Sequence, residues 1–162
     1  LRDIVGDDAL GAALRASNAA AANKADPVQA FRSALKTLAP RQNLSWVFAD
    51  WIEADHGLPD LTIDKVFPNA VQAGNWLVSI TISNSGYAAA QVPVTVRSAT
   101  NTTTDQVLVP ARGTVTSRLL VLGAPTEVQV NDGTVAETEA SVHITHLDQQ
   151  PNAQASPQQP NP

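Results

Sequence analysis

Asn75-Trp76-Leu77-Val78-Ser79-Ile80-Thr81-Ile82-Ser83-Asn84 is the stretch that decides the fold. Trp76, Val78, Ile80 and Ile82 alternate with Leu77, Ser79, Thr81 and Ser83, which is the twofold period of a strand burying one face. Asn84-Ser85-Gly86 reads as a turn, and Val92, Val94 and Val96 then alternate with Pro93, Thr95 and Arg97. Pro93 cannot donate to a ladder, so it predicts an edge strand or a bulge. The twofold period recurs at 61–63, 106–109, 114–122, 127–130 and 141–147. Between these runs lie a polar connection at 99–104, Pro110-Ala111-Arg112-Gly113 and Asn131-Asp132-Gly133. Short strands at regular intervals with no helical period between them predict an immunoglobulin/fibronectin-like antiparallel β-sandwich and disfavour βαβ units.

Upstream of Leu61 the period is helical. Asp7 is a candidate N-cap, with Leu10, Ala13, Leu14 and Ser17 at helical spacing, which predicts a helix over 7–22. Asp26-Pro27 repeats the start signal, and Phe31, Leu35 and Leu38 mark one face up to Pro40. Asn43 caps a third helix with an apolar stripe of Leu44, Val47, Phe48, Trp51 and Ile52, stopped by Gly57 and Pro59. So few large side chains make a marginal core, and these helices are expected to need a further surface to pack on. The predicted organisation is a helical segment at 1–58, a sandwich at 59–147 and a disordered tail at 148–162. That tail holds four Pro, five Gln and two Asn, and has nothing with which to offset its ordering entropy.

Hydrophobic residues make up 43% of the 162 and charged residues 15%, a globular balance, although aromatic content is only 4%. A net charge of −5 with ten scattered basic residues argues against nucleic acid as a partner. No apolar run is long enough for a membrane span, and no signal-peptide pattern is visible. The absence of Cys excludes disulfides, thiolate zinc sites and thiol nucleophiles. Leu1 in place of an initiator Met, with a helical pattern from the first residues, leads us to expect that a natural N-terminus precedes it.

Few residues are candidates for chemistry. His143-x-x-His146 is the one His pair, but positions three apart on a strand face opposite sides, so the pair reads as two partly exposed strand residues and not as metal ligands. His56 falls in the last turn of the third helix, where the dipole favours an imidazolium. Glu137 and Glu139, beside Asn131-Asp132-Gly133, offer oxygen ligands to calcium, although solvated hairpin charges are the expected reading. Trp46, Trp51 and Trp76 each sit among Leu, Val or Ile and are expected in cores rather than on a sugar-stacking platform. No nucleophile elbow, S-x-x-K pair or phosphate-cradling loop occurs. We therefore assign no catalytic, cofactor-binding or metal residue in this chain.

One resemblance adds to this reading. Leu1-Arg2-Asp3-Ile4-Val5-Gly6-Asp7-Asp8-Ala9-Leu10, continuing to Leu14-Arg15, resembles the post-catalytic helix of zinc aminopeptidases of the aminopeptidase N (gluzincin) family, "LR-x-x-x-G-D-x-x-F" followed by "LR". Asn43-Leu44-Ser45-Trp46-Val47-Phe48-Ala49-Asp50-Trp51 is similar to the family's "DL-x-x-F-F-x-x-W". Gly57-Leu58-Pro59-Asp60-Leu61 resembles the "G-x-P-x-L" that leads into its β-sandwich. Five residues separate Trp51 from Gly57, one more than the family spacing, which marks a divergent branch.

The family's chemistry belongs to an H-E-x-x-H helix, a downstream Glu and a Tyr. This chain has no H-E-x-x-H, and its one Tyr, Tyr87, lies among the predicted strands. The resemblance therefore implies a non-catalytic accessory region, with zinc held in a catalytic domain upstream in the same chain. The alternative is an immunoglobulin-like binding module of a secreted or surface protein. A contiguous exposed patch on the sandwich would favour that alternative, and unfilled apolar surface on the helices would favour the accessory region. The sandwich and polar tail suit an extracytoplasmic bacterial protein.

Overall fold

The structure, a computed structural model, describes residues 1–54 and 56–147. The expected tail at 148–162 lies outside the described residues. The chain divides into two compact units that meet between His56 and Gly57.

The first unit is helical: α1 (Arg2–Val5), α2 (Asp7–Ala22), α3 (Pro27–Leu38) and α4 (Val47–Ala54), the last wound as a π-helix. The expected start of α3 is observed in full. Asp26 accepts hydrogen bonds from the backbone N–H groups of Val28 (2.9 Å) and Gln29 (3.1 Å), and Pro27 takes the first helical position. The start of α2 corrects the sequence reading. Gly6, at φ 82°, is the N-cap, and Asp7 is already helical, because the single turn of α1 brings Arg2 to its carboxylate. That guanidinium holds the Asp7 carboxyl below the usual range.

The helical core is small: Ala13, Leu35, Leu44, Val47 and Phe48 are buried, with Phe31 edge-on to Phe48 at 6.1 Å. Three stripe positions depart from expectation, since Leu14, Leu38 and Ile52 are exposed. For Ile52 the cause is the π-helical winding, whose i→i+5 bonds carry the end of the stripe away from the face that a 3.6-residue period gives it.

The second unit is the antiparallel sandwich, and its fold class is as expected. Its strands are β1 (Leu61–Ala70), β2 (Asn75–Asn84), β3 (Ala90–Ser98), β4 (Thr102–Val109), β5 (Thr114–Leu122), β6 (Pro125–Val130) and β7 (His143–His146). One sheet has the order β1-β2-β5 and the other β4-β3-β6-β7, so the chain passes from sheet to sheet after β2, β4 and β5. Between the sheets lies a core dominated by β-branched side chains, with Val78, Ile80, Ile82, Val92, Val94 and Val96 fully buried. Each follows the alternation read from the sequence, and their stiff χ1 suits a pleated surface.

Two expectations about the strands change. The connection placed at 99–104 is shorter, because β4 begins at Thr102, where threonines pair across to β3. Pro93 is on neither an edge strand nor a bulge: β3 has β4 on one side and β6 on the other. Pro93 is tolerated there because the β6 ladder stops one residue away, at Val94 opposite Val130. Its carbonyl accepts the N–H of Asn131 (3.0 Å), so the side on which it lacks an N–H is where regular pairing has already ended.

The chain enters β1 under close restraint. The Leu58 carbonyl accepts from the Tyr87 N–H (3.2 Å), the Pro59 carbonyl from the Thr138 N–H (3.0 Å) and the Asp60 carbonyl from the Ser85 N–H (2.9 Å). Gly86 lies directly beneath. A Cβ there would stand 2.3 Å from the Leu58 oxygen and 2.6 Å from the Asp60 nitrogen, so no other residue fits without moving the backbone. Gly86→Ala should lower stability by about 1–3 kcal/mol in urea denaturation, the usual effect of overpacking. Gly11→Ala, mid-helix with only the flexible end of Arg15 nearby, should instead raise helical stability by about 0.5–1 kcal/mol.

Candidate functional site

The densest group of polar side chains in the sandwich surrounds Glu137, in the connection between β6 and β7. Its side chain is 0% exposed. Oε2 accepts the backbone N–H of Leu61 (2.8 Å) and lies 3.0 Å from Nε2 of His143, and Oε1 accepts from Nδ2 of Asn131 (2.7 Å). Asn131 is buried and held at φ 56°, a conformation that asparagine tolerates better than most residues. Its amide is saturated: Nδ2 also donates to the Val135 carbonyl (2.7 Å), and Oδ1 accepts from the N–H groups of Asp132 (2.9 Å) and Val135 (3.3 Å).

A second buried amide faces the same backbone. Oδ1 of Asn84 accepts from the N–H groups of Asp60 (3.0 Å) and Gly86 (2.9 Å), and Nδ2 donates to the carbonyls of Ala88 (2.9 Å) and Pro110 (3.2 Å). The successive amides of Asp60 and Leu61 are thus taken by Asn84 from one sheet and Glu137 from the connection in the other. Sequence reading placed Asn84, Asn131 and Glu137 in turns or among solvated charges. Each lies within a few residues of a turn-forming glycine, Gly86 or Gly133, and a polar residue so placed carries no signal of burial, so that error is intrinsic to reading one sequence.

The chemistry of this group is structural. The expectation that Glu137 is a solvated hairpin charge is corrected, while Glu139 is exposed as expected. Calcium does not fit, because the oxygens of Glu137 already face N–H donors, which would repel a cation. Asp132 turns outward; the Thr134 hydroxyl holds its carboxyl below the usual range, against an opposing effect of burial and with lesser help from the backbone N–H groups of Thr134 and Asp132.

His143 and His146 alternate as strand geometry requires. His143 is directed inward to Glu137, and His146 is exposed with Nδ1 at 3.7 Å from Glu127. They do not converge, and no cluster of three or more metal-ligating side chains occurs among the described residues. The zinc implied by the resemblance therefore finds no fitting donor set in these residues. His56 is exposed and lies two residues beyond the end of α4, at Ala54, rather than in its last turn as expected.

Trp46 packs half-buried on the helical core, Trp76 half-buried on the sandwich core, and Trp51 is half-buried. Tyr87 is exposed in the connection after β2, beneath the Arg112 guanidinium at 5.0 Å. In the helical unit a groove of about 360 Å³ is lined by Arg32, Lys36, Leu44, Phe48 and Glu53 among others. Its charges are largely spent internally, with Arg32 paired to Glu53 and stacked 4.5 Å over Phe48. No helix among the described residues is long and apolar enough to cross a membrane.

No family model matches the chain, and no curated protein matches it. The site is therefore read from its own geometry. Glu137→Gln puts an N–H against either the Leu61 N–H or the Asn131 amide donor, and Asn84→Asp removes the donors to Ala88 and Pro110. Each should cost about 1–3 kcal/mol, the usual penalty for orphaned buried polar groups, read as a lowered urea midpoint. Calcium or zinc added to the wild type should leave the thermal midpoint unmoved; a metal-dependent rise would contradict the structural assignment of Glu137.

Proposed function

We propose that this chain is a non-catalytic accessory region of a larger zinc aminopeptidase-like protein. Its helices complete a catalytic domain lying upstream in the same chain, and its sandwich buttresses that domain. Zinc and the hydrolytic groups belong to the upstream domain; among the described residues here no group of three or more His, Cys, Asp or Glu could hold the metal.

The observation that carries this reading is the surface of the helical unit. Five apolar residues are buried in its core, while Leu14 is 50% exposed, Leu38 48%, Val28 43% and Ile52 42%. A unit this small with that much apolar surface facing water is suited to packing against something further. The "G-x-P-x-L" segment also supports the reading, because Pro59 and Leu61 stand where the strand is fixed to both sheets, a mechanical role that suits a buttress.

The purified chain should not hydrolyse aminoacyl-arylamides with or without added zinc, and metal-dependent turnover would contradict the proposal. In the parent protein, the double change Leu14→Asp and Leu38→Asp leaves the helical core intact, because neither residue is buried. It should lower both the melting temperature and the peptidase turnover. An unchanged parent would show that these faces pack against nothing.

A further inference from the structure

The two open edges and the open face of the β1-β2-β5 sheet differ in what they can bind. On β5, the carbonyls of Leu120 and Leu122 accept from the hydroxyls of Thr103 (3.1 Å) and Ser98 (2.7 Å), which occupies groups a further strand would use. On β1, the pairing is interrupted between Ile63 and Lys65, and Pro68 removes a donor. Recognition by strand addition is therefore blocked at both edges.

The outer face is open. Register puts Phe67 of β1, Ser79 of β2 and Arg118 of β5 in one row, with Asn69, Leu77 and Leu120 in the next. Ser79 and Thr81 keep the middle of the central strand low beside Phe67 and Arg118, while Leu77 stands level with Leu120 in the next row. The flanking strands β1 and β5 stand two strand spacings apart, about 9–10 Å, which is close to the width of an α-helix with its side chains. Phe67 is 63% exposed, Leu120 53% and Leu122 51%, so apolar side chains on both flanking strands face water.

Charge then narrows the occupant. Lys65 stands on β1 and Arg118 on β5, while the one acidic residue of these three strands, Asp64, lies beside Lys65 and accepts from the Ser83 hydroxyl (2.8 Å). In a chain of net charge −5 this is a locally basic surface. A second copy is a poor fit, because stacking the face on itself gathers four cations against two carboxylates that are already engaged.

We propose that the outer face of the β1-β2-β5 sheet is a docking surface for an amphipathic α-helix of a partner protein, apolar along its inner stripe and acidic on both flanks. The inference is independent of the accessory role proposed above, and either can fail without the other.

The test uses two synthetic helical peptides with the same leucine stripe, one flanked by Glu and one by Lys, titrated into the isotope-labelled chain. The Glu peptide should shift the amide resonances of Phe67, Leu77, Ser79 and Leu120 and bind at least tenfold more tightly than the Lys peptide. Phe67→Ser should weaken it at least tenfold without changing the melting temperature. Lys65→Glu with Arg118→Glu, both at exposed positions, should reverse the preference. Equal affinity for the two peptides, no binding, or shifts confined elsewhere would overturn the proposal. So would dimerisation through this face, or stronger binding to phosphatidylglycerol vesicles than to the Glu peptide.

Discussion

The sandwich depends on one constraint, the fixing of residues 58–61 as the chain enters the first strand. Three successive carbonyls, of Leu58, Pro59 and Asp60, and two successive N–H groups, of Asp60 and Leu61, all find partners there. The partners come from the ends of both sheets: Asn84 ends β2 with Ser85 and Tyr87 just after it, and Glu137 and Thr138 precede β7. The layers of this β-sandwich are joined covalently only by the chain crossings after β2, β4 and β5, with no Cys to add a disulfide. Dispersion and apolar burial hold the layers together but are nearly indifferent to small slides. Directional hydrogen bonds to buried groups are not, because leaving one unmade costs about 1–3 kcal/mol. Asn84 and Glu137 thereby set the register of the layers, and the valine-rich core fills the space that this register defines.

The same economy of polar groups governs the edges. Hydroxyls of Ser98 and Thr103 close part of β5, the Asp105 carboxylate accepts the N–H of Gln106 on β4 (2.9 Å), and a ladder of Arg97, Glu127 and His146 crosses the outer face of the other sheet. Apolar surface is left on the outside of the β1-β2-β5 sheet and on the helices, at Leu14, Val28, Leu38 and Ile52. Part of the β4 and β5 edges is thus occupied, and apolar surface is left open on each unit.

The fold was legible in the sequence because its main signal is periodic. Val78, Ile80 and Ile82, then Val92, Val94 and Val96, announced the two inner faces, and the bounds of α3 and the start of β5 followed from Asp26-Pro27, Pro40 and Gly113. What was not legible depends on groups distant in sequence. Asp7 looked like a cap until Arg2 was seen to hold it, and Ile52 lay on a stripe that assumed α-helical winding. Pro93 was read as an edge signal because the end of the β6 ladder is invisible from β3 alone. Glu137 is the sharpest case, since its bond to Leu61 spans 76 residues and nothing near it in the chain distinguishes it from Glu139.

Native-state hydrogen exchange at the amides of Asp60 and Leu61 tests the central claim most directly. If the clamp formed by Asn84 and Glu137 holds the sandwich in register, these two amides open only when the whole unit unfolds. Their protection should then equal that of Val78 and Ile80 in the central strand, and should fall with urea at the same slope. Exchange of Asp60 and Leu61 through local fraying, insensitive to urea while Val78 and Ile80 remain protected, would show that the start of β1 is an ornament on a sandwich stabilised without it.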